Sequence, residues 1–344
     1  MKAAILVEQK KPLVVADIEL PSKLERGQVL VKVICSSVCG SQIGEIDGVK
    51  GPDKFLPHLL GHEGGGVVEE VGPEVIRVKK GDHVVMHWRK GLGIESATPK
   101  YKWGVKTVNA GWVTTFNEKA VVSENRLTQI PKDVGFDVAA LMGCAITTGF
   151  GVVNNNAKLK AGESIAVFGV GGVGLNVIQA AALVGAFPII AIDIYDNKLK
   201  YAQEVGATHV INSSNKDALN AISEIVGGKG VNVAVDSTGN VKVIEQAYEA
   251  TSSQGRTILV GVPKKGEKVC IYTLPLHFGK VLTGSHGGES EPSVDIPKYI
   301  DLYKKHKIDL KNMITKTYDL DEINKAIEAM RKGKIVKCMI KMKG

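Results

Sequence analysis

Val167-Phe168-Gly169-Val170-Gly171-Gly172-Val173-Gly174 decides how the middle of this 344-residue chain folds. An apolar run leads directly into Gly-x-Gly-x-x-Gly, and a stretch of helical periodicity follows. Strand, glycine turn and helix start form the arrangement that lays a dinucleotide's pyrophosphate on a helix N-terminus. Gly169 permits the tight turn, Gly171 lets the backbone approach the phosphates, and Gly174 allows the helix to pack close to the strand. The N–H groups of Gly172, Val173 and Gly174 at the helix start then face the anion. Asp193 follows the last glycine by 19 residues, at the end of the next apolar run. A carboxylate there accepts hydrogen bonds from ribose hydroxyls and repels a 2′-phosphate, so the pattern predicts NAD rather than NADP.

Outward from this motif the same texture continues. Strands are expected over 164–168, 189–193, 209–212, 233–236 and 257–262, with helices over 172–184, 197–205, 216–226 and 241–250. Alternating βα units of this length predict an α/β domain with a doubly wound parallel sheet. The preceding residues read differently. Short β-branched runs at 29–34, 66–71 and 81–86, bounded by Gly or Pro, predict a mainly β, partly open barrel. Beyond about residue 290, helices near 296–304 and 321–331 and a last strand at 335–342 return to complete that first domain. The expected division is 1–145 with 291–344, and 146–290.

Composition narrows the function. Hydrophobic content of 44% and charged content of 23% are ordinary for a globular chain. The net charge of +8 is spread as scattered lysines without a base-stacking module, so nucleic acid is not an expected partner. Apolar stretches are broken well short of the roughly 20 residues that span a bilayer, and no signal-type segment opens the chain, so neither a membrane nor export is expected. Five cysteines without tight pairing suggest cytoplasmic thiols or metal ligands rather than disulfides.

Three residues far apart share the character of metal ligands. Cys39 lies in Cys39-Gly40-Ser41-Gln42, His62 in Gly61-His62-Glu63-Gly64-Gly65-Gly66, and Cys144 in Gly143-Cys144-Ala145. Two thiolates and an imidazole leave the fourth tetrahedral position open, as catalytic zinc requires. Metal and nucleotide signatures together point to alcohol or carbonyl redox chemistry.

In order and along essentially its whole length, the chain resembles the medium-chain zinc-dependent alcohol dehydrogenase superfamily. The resemblance implies a Rossmann cofactor domain beside a GroES-like catalytic domain, NAD, and a small alcohol or carbonyl substrate. It also implies site roles. Ser41 passes the alcohol proton toward solvent, and Glu63 stands behind the zinc. Thr148 and the backbone of Val260, Gly261 and Val262 meet the nicotinamide. Lys198 approaches the adenosine ribose, Lys337 the pyrophosphate, and Trp88 forms a wall of the substrate pocket. Members are usually homodimers or homotetramers paired through an edge strand, for which 269–272 is the candidate.

The chain departs from the family at three points. The four-cysteine structural zinc lobe is missing, so one zinc per chain is expected and the segment 88–112, with its three tryptophans, is expected to be held by packing. Gln42 stands where an acid often follows the Cys-Gly-Ser type of turn. Gly44 stands where a relay histidine sometimes sits. The expected activity is hydride transfer between NAD(H) and a primary or secondary alcohol, with a sugar or polyol derivative among the candidates. The rivals are a zinc-free enone or quinone reductase and a non-catalytic nucleotide-binding protein.

Overall fold

The computed structural model describes residues 1–333 and 335–343. The chain forms two compact units, Met1–Cys144 with Glu291–Gly344, and Ala145–Ser290.

The second unit is built on a six-stranded parallel sheet. Its spatial order is His209–Asn212, Ile189–Asp193, Ile165–Phe168, Val231–Asp236, Thr251–Leu259 and Val281–Gly284. Chain order reverses between Ile165–Phe168 and Val231–Asp236, the switch point where such sheets open a binding crevice at their carboxyl ends. Ala166, Phe168, Ile190, Ile192 and Ala234 are all buried, which is why these strands read as unbroken apolar runs. Helices Gly172–Val184, Asp196–Glu204, Ala218–Val226 and Val241–Ala250 complete the unit. Asp217 and Asn240 cap the last two with side-chain oxygens, each worth about 1 kcal/mol. The sixth strand departs from expectation. The stretch 269–272 forms no strand, and Val281–Gly284 takes the edge.

The first unit is mainly β. A seven-stranded sheet runs Leu127–Ile130, His83–His87, Glu63–Val71, Gln28–Ser37, Lys337–Lys341, Ile314–Asp319, with Lys119–Ser123 also paired to Gln28–Ser37. The late strand pairs antiparallel with the early one, Met339 opposite Ser37. A second, five-stranded sheet includes the hairpin Lys100–Trp103 and Lys106–Asn109. Gly64, Gly65 and Gly66 lie in strand Glu63–Val71, which begins earlier than the expected run 66–71. A Cβ on Gly65 would come within 2.6 Å of the Phe136 carbonyl, so the bare backbone lets helix Phe136–Leu141 press onto the sheet. The helical run Phe136–Ala157 is long and apolar enough to cross a membrane, but it is 89% buried within the fold.

The segment 88–112 is held by hydrogen bonding as well as by packing. Glu124, fully buried, accepts the N–H groups of Ile76 and Arg77 at 2.7 Å on one oxygen and that of Ile94 at 2.8 Å on the other. Arg126 joins Glu95 at 2.9 Å, and Ser123 bridges the Ile94 carbonyl and the Ser96 N–H. Glu124→Ala would leave three backbone donors without an acceptor, each costing about 1–3 kcal/mol. The expected loss is about 3 kcal/mol or more in urea unfolding of the zinc-loaded protein; a loss below about 1 kcal/mol would contradict this role.

Candidate active site

Cys39 is the N-cap of the short helix Gly40–Ile46, two residues past strand Gln28–Ser37. His62 immediately precedes strand Glu63–Val71. The turn before it needs glycine: Gly61 has φ +90°, and a Cβ there would lie 2.4 Å from Thr115 Oγ1. Cys144 sits in a widened, π-type turn, Met142–Ile146. Its neighbour Gly143 is equally constrained, since a Cβ would lie 2.4 Å from the Met86 carbonyl oxygen and 2.8 Å from Glu63 Cα. Only a bare backbone brings that turn down onto the strand carrying Glu63.

The ligand atoms of Cys39, His62 and Cys144 consequently lie within 4.8 Å of one another. The sulfurs are 3.9 Å apart, and both cysteines are free thiols. His62 Nε2 is buried with no hydrogen-bond partner, a costly state for a polar atom. Two sulfurs and an orphaned imidazole nitrogen converging on one point fit zinc. Among the described residues this is the single cluster of metal-type donors.

The surrounding charges suit that reading. The hydrogen bond from Cys144 holds the Cys39 thiol well below its usual pKa, with His62 and Lys337 adding to the effect, while the same bond and burial push Cys144 up. Burial opposes the charged form of His62, but Cys39, Glu63 and Glu45 outweigh it and raise its pKa. Glu63 is fully buried and lifted by burial, with Lys337 pulling the other way. Lys337 donates to the Glu63 carboxylate and to the Val38 carbonyl at 3.3 Å. Burial lowers the Lys337 pKa, but Glu63, Cys39 and Cys144 raise it further, so the ammonium stays charged. With its side chain 3% exposed, Lys337 is paired with Glu63 as its counter-charge. Ser36 and Thr115 both donate to the Glu63 carbonyl, at 3.0 and 3.3 Å, fixing its backbone.

Ser41 Oγ donates to Cys39 Sγ at 3.6 Å. The Trp88 ring centroid lies 6.5 Å from that of His62. Its loop is pinned by His87, which burial pushes down to about 4 and so keeps neutral. The His87 Nδ1–H donates to the Arg89 carbonyl at 2.8 Å, and Nε2 accepts from the Thr128 hydroxyl at 2.9 Å. Arg126 donates to the Trp88 carbonyl at 3.0 Å.

In the second unit, Gly169 has φ +87°, and a Cβ on Gly174 would come 2.0 Å from the Gly169 carbonyl oxygen. A Cβ on Gly171 meets nothing within 4 Å, which leaves the open cradle a phosphate needs. Helix Gly172–Val184, with Val173 in its first turn, has no side-chain cap. Asp193 accepts the Val170 N–H at 2.7 Å and those of Ile194 and Tyr195 at 2.8 and 3.1 Å. Lys198 Nζ stands 4.0 Å from that carboxylate. Val260 and Gly261 donate to the Asp236 carbonyl at 2.8 and 3.0 Å, while Val262 is exposed. Thr148 is buried in Thr147–Gly151, where a Cβ on Gly149 would meet the Val173 carbonyl oxygen at 2.9 Å. These residues fit a dinucleotide at the carboxyl ends of the strands.

Residues 172–305 match the zinc-binding dehydrogenase family, and residues 25–132 match the alcohol dehydrogenase GroES-like domain. The S-(hydroxymethyl)glutathione dehydrogenase of Paracoccus denitrificans is 33% identical over 98% of this chain and 99% of that protein. The chain belongs to the medium-chain zinc-dependent alcohol dehydrogenase superfamily. Alcohol dehydrogenase class-P of Arabidopsis thaliana is 31% identical over 99% of this chain and 97% of that one. The benzyl alcohol dehydrogenase structure from Acinetobacter calcoaceticus superposes with a TM-score of 0.90 at 30% identity, covering 99% of both chains. The protein is an NAD-dependent zinc alcohol dehydrogenase, with the Rossmann and GroES-like pair of folds. This sets aside the zinc-free reductase and the non-catalytic reading.

The first unit gathers Cys39, His62, Cys144, Ser41, Glu63, Lys337 and Trp88; the remaining sequence candidates lie in the second. Two roles were illegible in the sequence: Gly143 as a packing gap, for which a glycine beside a candidate ligand was the only signal, and Lys337 as the partner of Glu63. Asp193→Ser removes one charge facing a 2′-phosphate, worth on the order of 1–4 kcal/mol at about 4 Å. Expected is a gain of roughly 10²-fold in kcat/KM with NADP relative to NAD; unchanged preference in steady-state assays would contradict it.

Proposed function

We propose that Cys39, His62 and Cys144 hold the catalytic zinc and that the enzyme oxidises a primary or secondary alcohol with NAD, or runs the reverse reduction. The observation that carries this reading is the orphaned, buried His62 Nε2 facing two thiols. Zinc, when bound, supplies Lewis acidity toward an alcohol or carbonyl oxygen, and NAD supplies the hydride acceptor.

The chain's own residues do the remainder. The Ser41 hydroxyl, beside Cys39, takes the alcohol proton and passes it outward, a relay worth roughly 10²–10⁴-fold. Glu63 and Lys337 fix the charge beneath the ligands. Gly169, Gly171, Gly172, Val173 and Gly174 cradle the pyrophosphate, and Asp193 with Lys198 receives the adenosine ribose. Thr148 and Val260 to Val262 orient the nicotinamide. Trp88 forms a pocket wall close to His62. An aromatic face beside the donors supports a substrate with a flat or apolar carbinol substituent over a polyol, whose hydroxyls need polar partners. Free thiols at all five cysteines support a cytoplasmic site of action.

A homodimer or homotetramer is part of the same reading. The edge strand Val281–Gly284 lies beside exposed Phe278, Leu274 and Tyr272, an apolar border suited to a second copy. Sedimentation equilibrium is expected to give a multiple of 36.7 kDa, two or four chains, and a monomer at micromolar concentration would contradict it.

Cys39→Ala is expected to lose zinc by elemental analysis and to lose turnover by roughly 10³-fold or more on a panel spanning benzyl alcohol, aliphatic alcohols and polyols. NADH fluorescence should still report binding. Turnover near wild type in that variant would sink the zinc assignment, and polyols as the best substrates would sink the pocket reading.

A further inference from the structure

Gln42 lies behind His62, buried, and its amide faces two hydrogen-bonding groups at once. Its Oε1 accepts the Gly61 N–H. A backbone N–H only donates, so the chemistry itself fixes which end of the amide points there. The NH₂ end therefore faces His62 Nδ1, at 2.9 Å, with the Glu45 carboxylate 3.4 Å away on its other side. In this arrangement Nδ1 is the acceptor.

We infer that Gln42 is a positioning residue that sets how tightly His62 holds the metal, and that as an amide it makes that hold looser than a carboxylate would. The inference deepens the proposed function, because it takes Cys39, His62 and Cys144 as the zinc ligands. A neutral imidazole that binds metal through Nε2 carries its proton on Nδ1, and that proton needs an acceptor. Gln42 has one oxygen for two donors. If it turns that oxygen to the Nδ1 proton, its NH₂ is set against the buried Gly61 N–H. If it keeps the oxygen on Gly61, two donors meet at His62. A carboxylate of the same length accepts from both. Metal occupancy and the turn at Gly61 thus compete for a single atom.

The test is equilibrium zinc affinity of the full chain, loaded with zinc and titrated against a graded series of chelators. Partners of metal-bound histidines are worth about 10–100-fold in affinity, so Gln42→Glu is expected to bind zinc at least about tenfold more tightly than wild type. Gln42→Met, which keeps the length and removes both ends of the amide, is expected to bind no more weakly than wild type. Glu substitution without any gain, or Met substitution with a loss of about tenfold, overturns the inference. Should the Glu variant fail to fold, the Met variant decides alone. Cys39→Ala run in parallel keeps the two readings apart. If that variant retains zinc, the metal site itself is misassigned; if it loses zinc while Gln42 variants behave like wild type, only the role of Gln42 falls.

Discussion

The buried pair of Glu63 and Lys337 is the constraint around which the first unit is arranged. An ammonium this deep is untenable without a carboxylate, and the carboxylate is as costly without the ammonium. Glu63 opens the strand that follows His62, while Lys337 opens a strand from the far end of the chain. Their contact obliges the late segment to return into the early sheet, which explains why one unit is made of two pieces of sequence. It also sets the charge balance. Two thiolates match a divalent cation, and Lys337 matches Glu63, so a filled site is close to neutral in surroundings that tolerate little net charge.

Elements with a local cause were legible in the sequence. The glycine turn at 169–174, the helix at 172–184 and the strand at 189–193 follow from periodicity and turn chemistry, which act within a dozen residues. The three metal-type donors were legible because each has a distinctive neighbour. What escaped depended on contacts far along the chain. Val269 to Tyr272 looked more strand-like than Val281 to Gly284, yet the latter finds a partner in Thr251–Leu259. Nothing local in Gly64, Gly65 and Gly66 reveals that a helix about 70 residues away packs onto them. The ion pair of Lys337 with Glu63, 274 residues away in sequence, had no local signal at all.

The segment 88–112 shows how hydrogen bonds hold a lobe in place. Glu124 is a carboxylate satisfied by three backbone N–H groups, so it gathers two separate stretches, Ile76 with Arg77 and Ile94, around one anion. A carboxylate held this way forms a junction of fixed geometry. Trp88 and His87 sit at one end of that segment. The indole of Trp88 beside His62 is thus positioned by hydrogen bonds to its backbone and its neighbour's ring.

The place of Lys337 in the sequence also orders events during synthesis. It leaves the ribosome 193 residues after Cys144, an interval of about 10–40 s at roughly 5–20 residues per second. All three donor side chains emerge before the ammonium that neutralises Glu63 exists. Within that interval the contiguous second unit completes its sequence, ahead of Lys337. Strand Lys337–Lys341 is therefore the last part of the first unit's larger sheet to be made, and with it comes the charge that Glu63 is paired with.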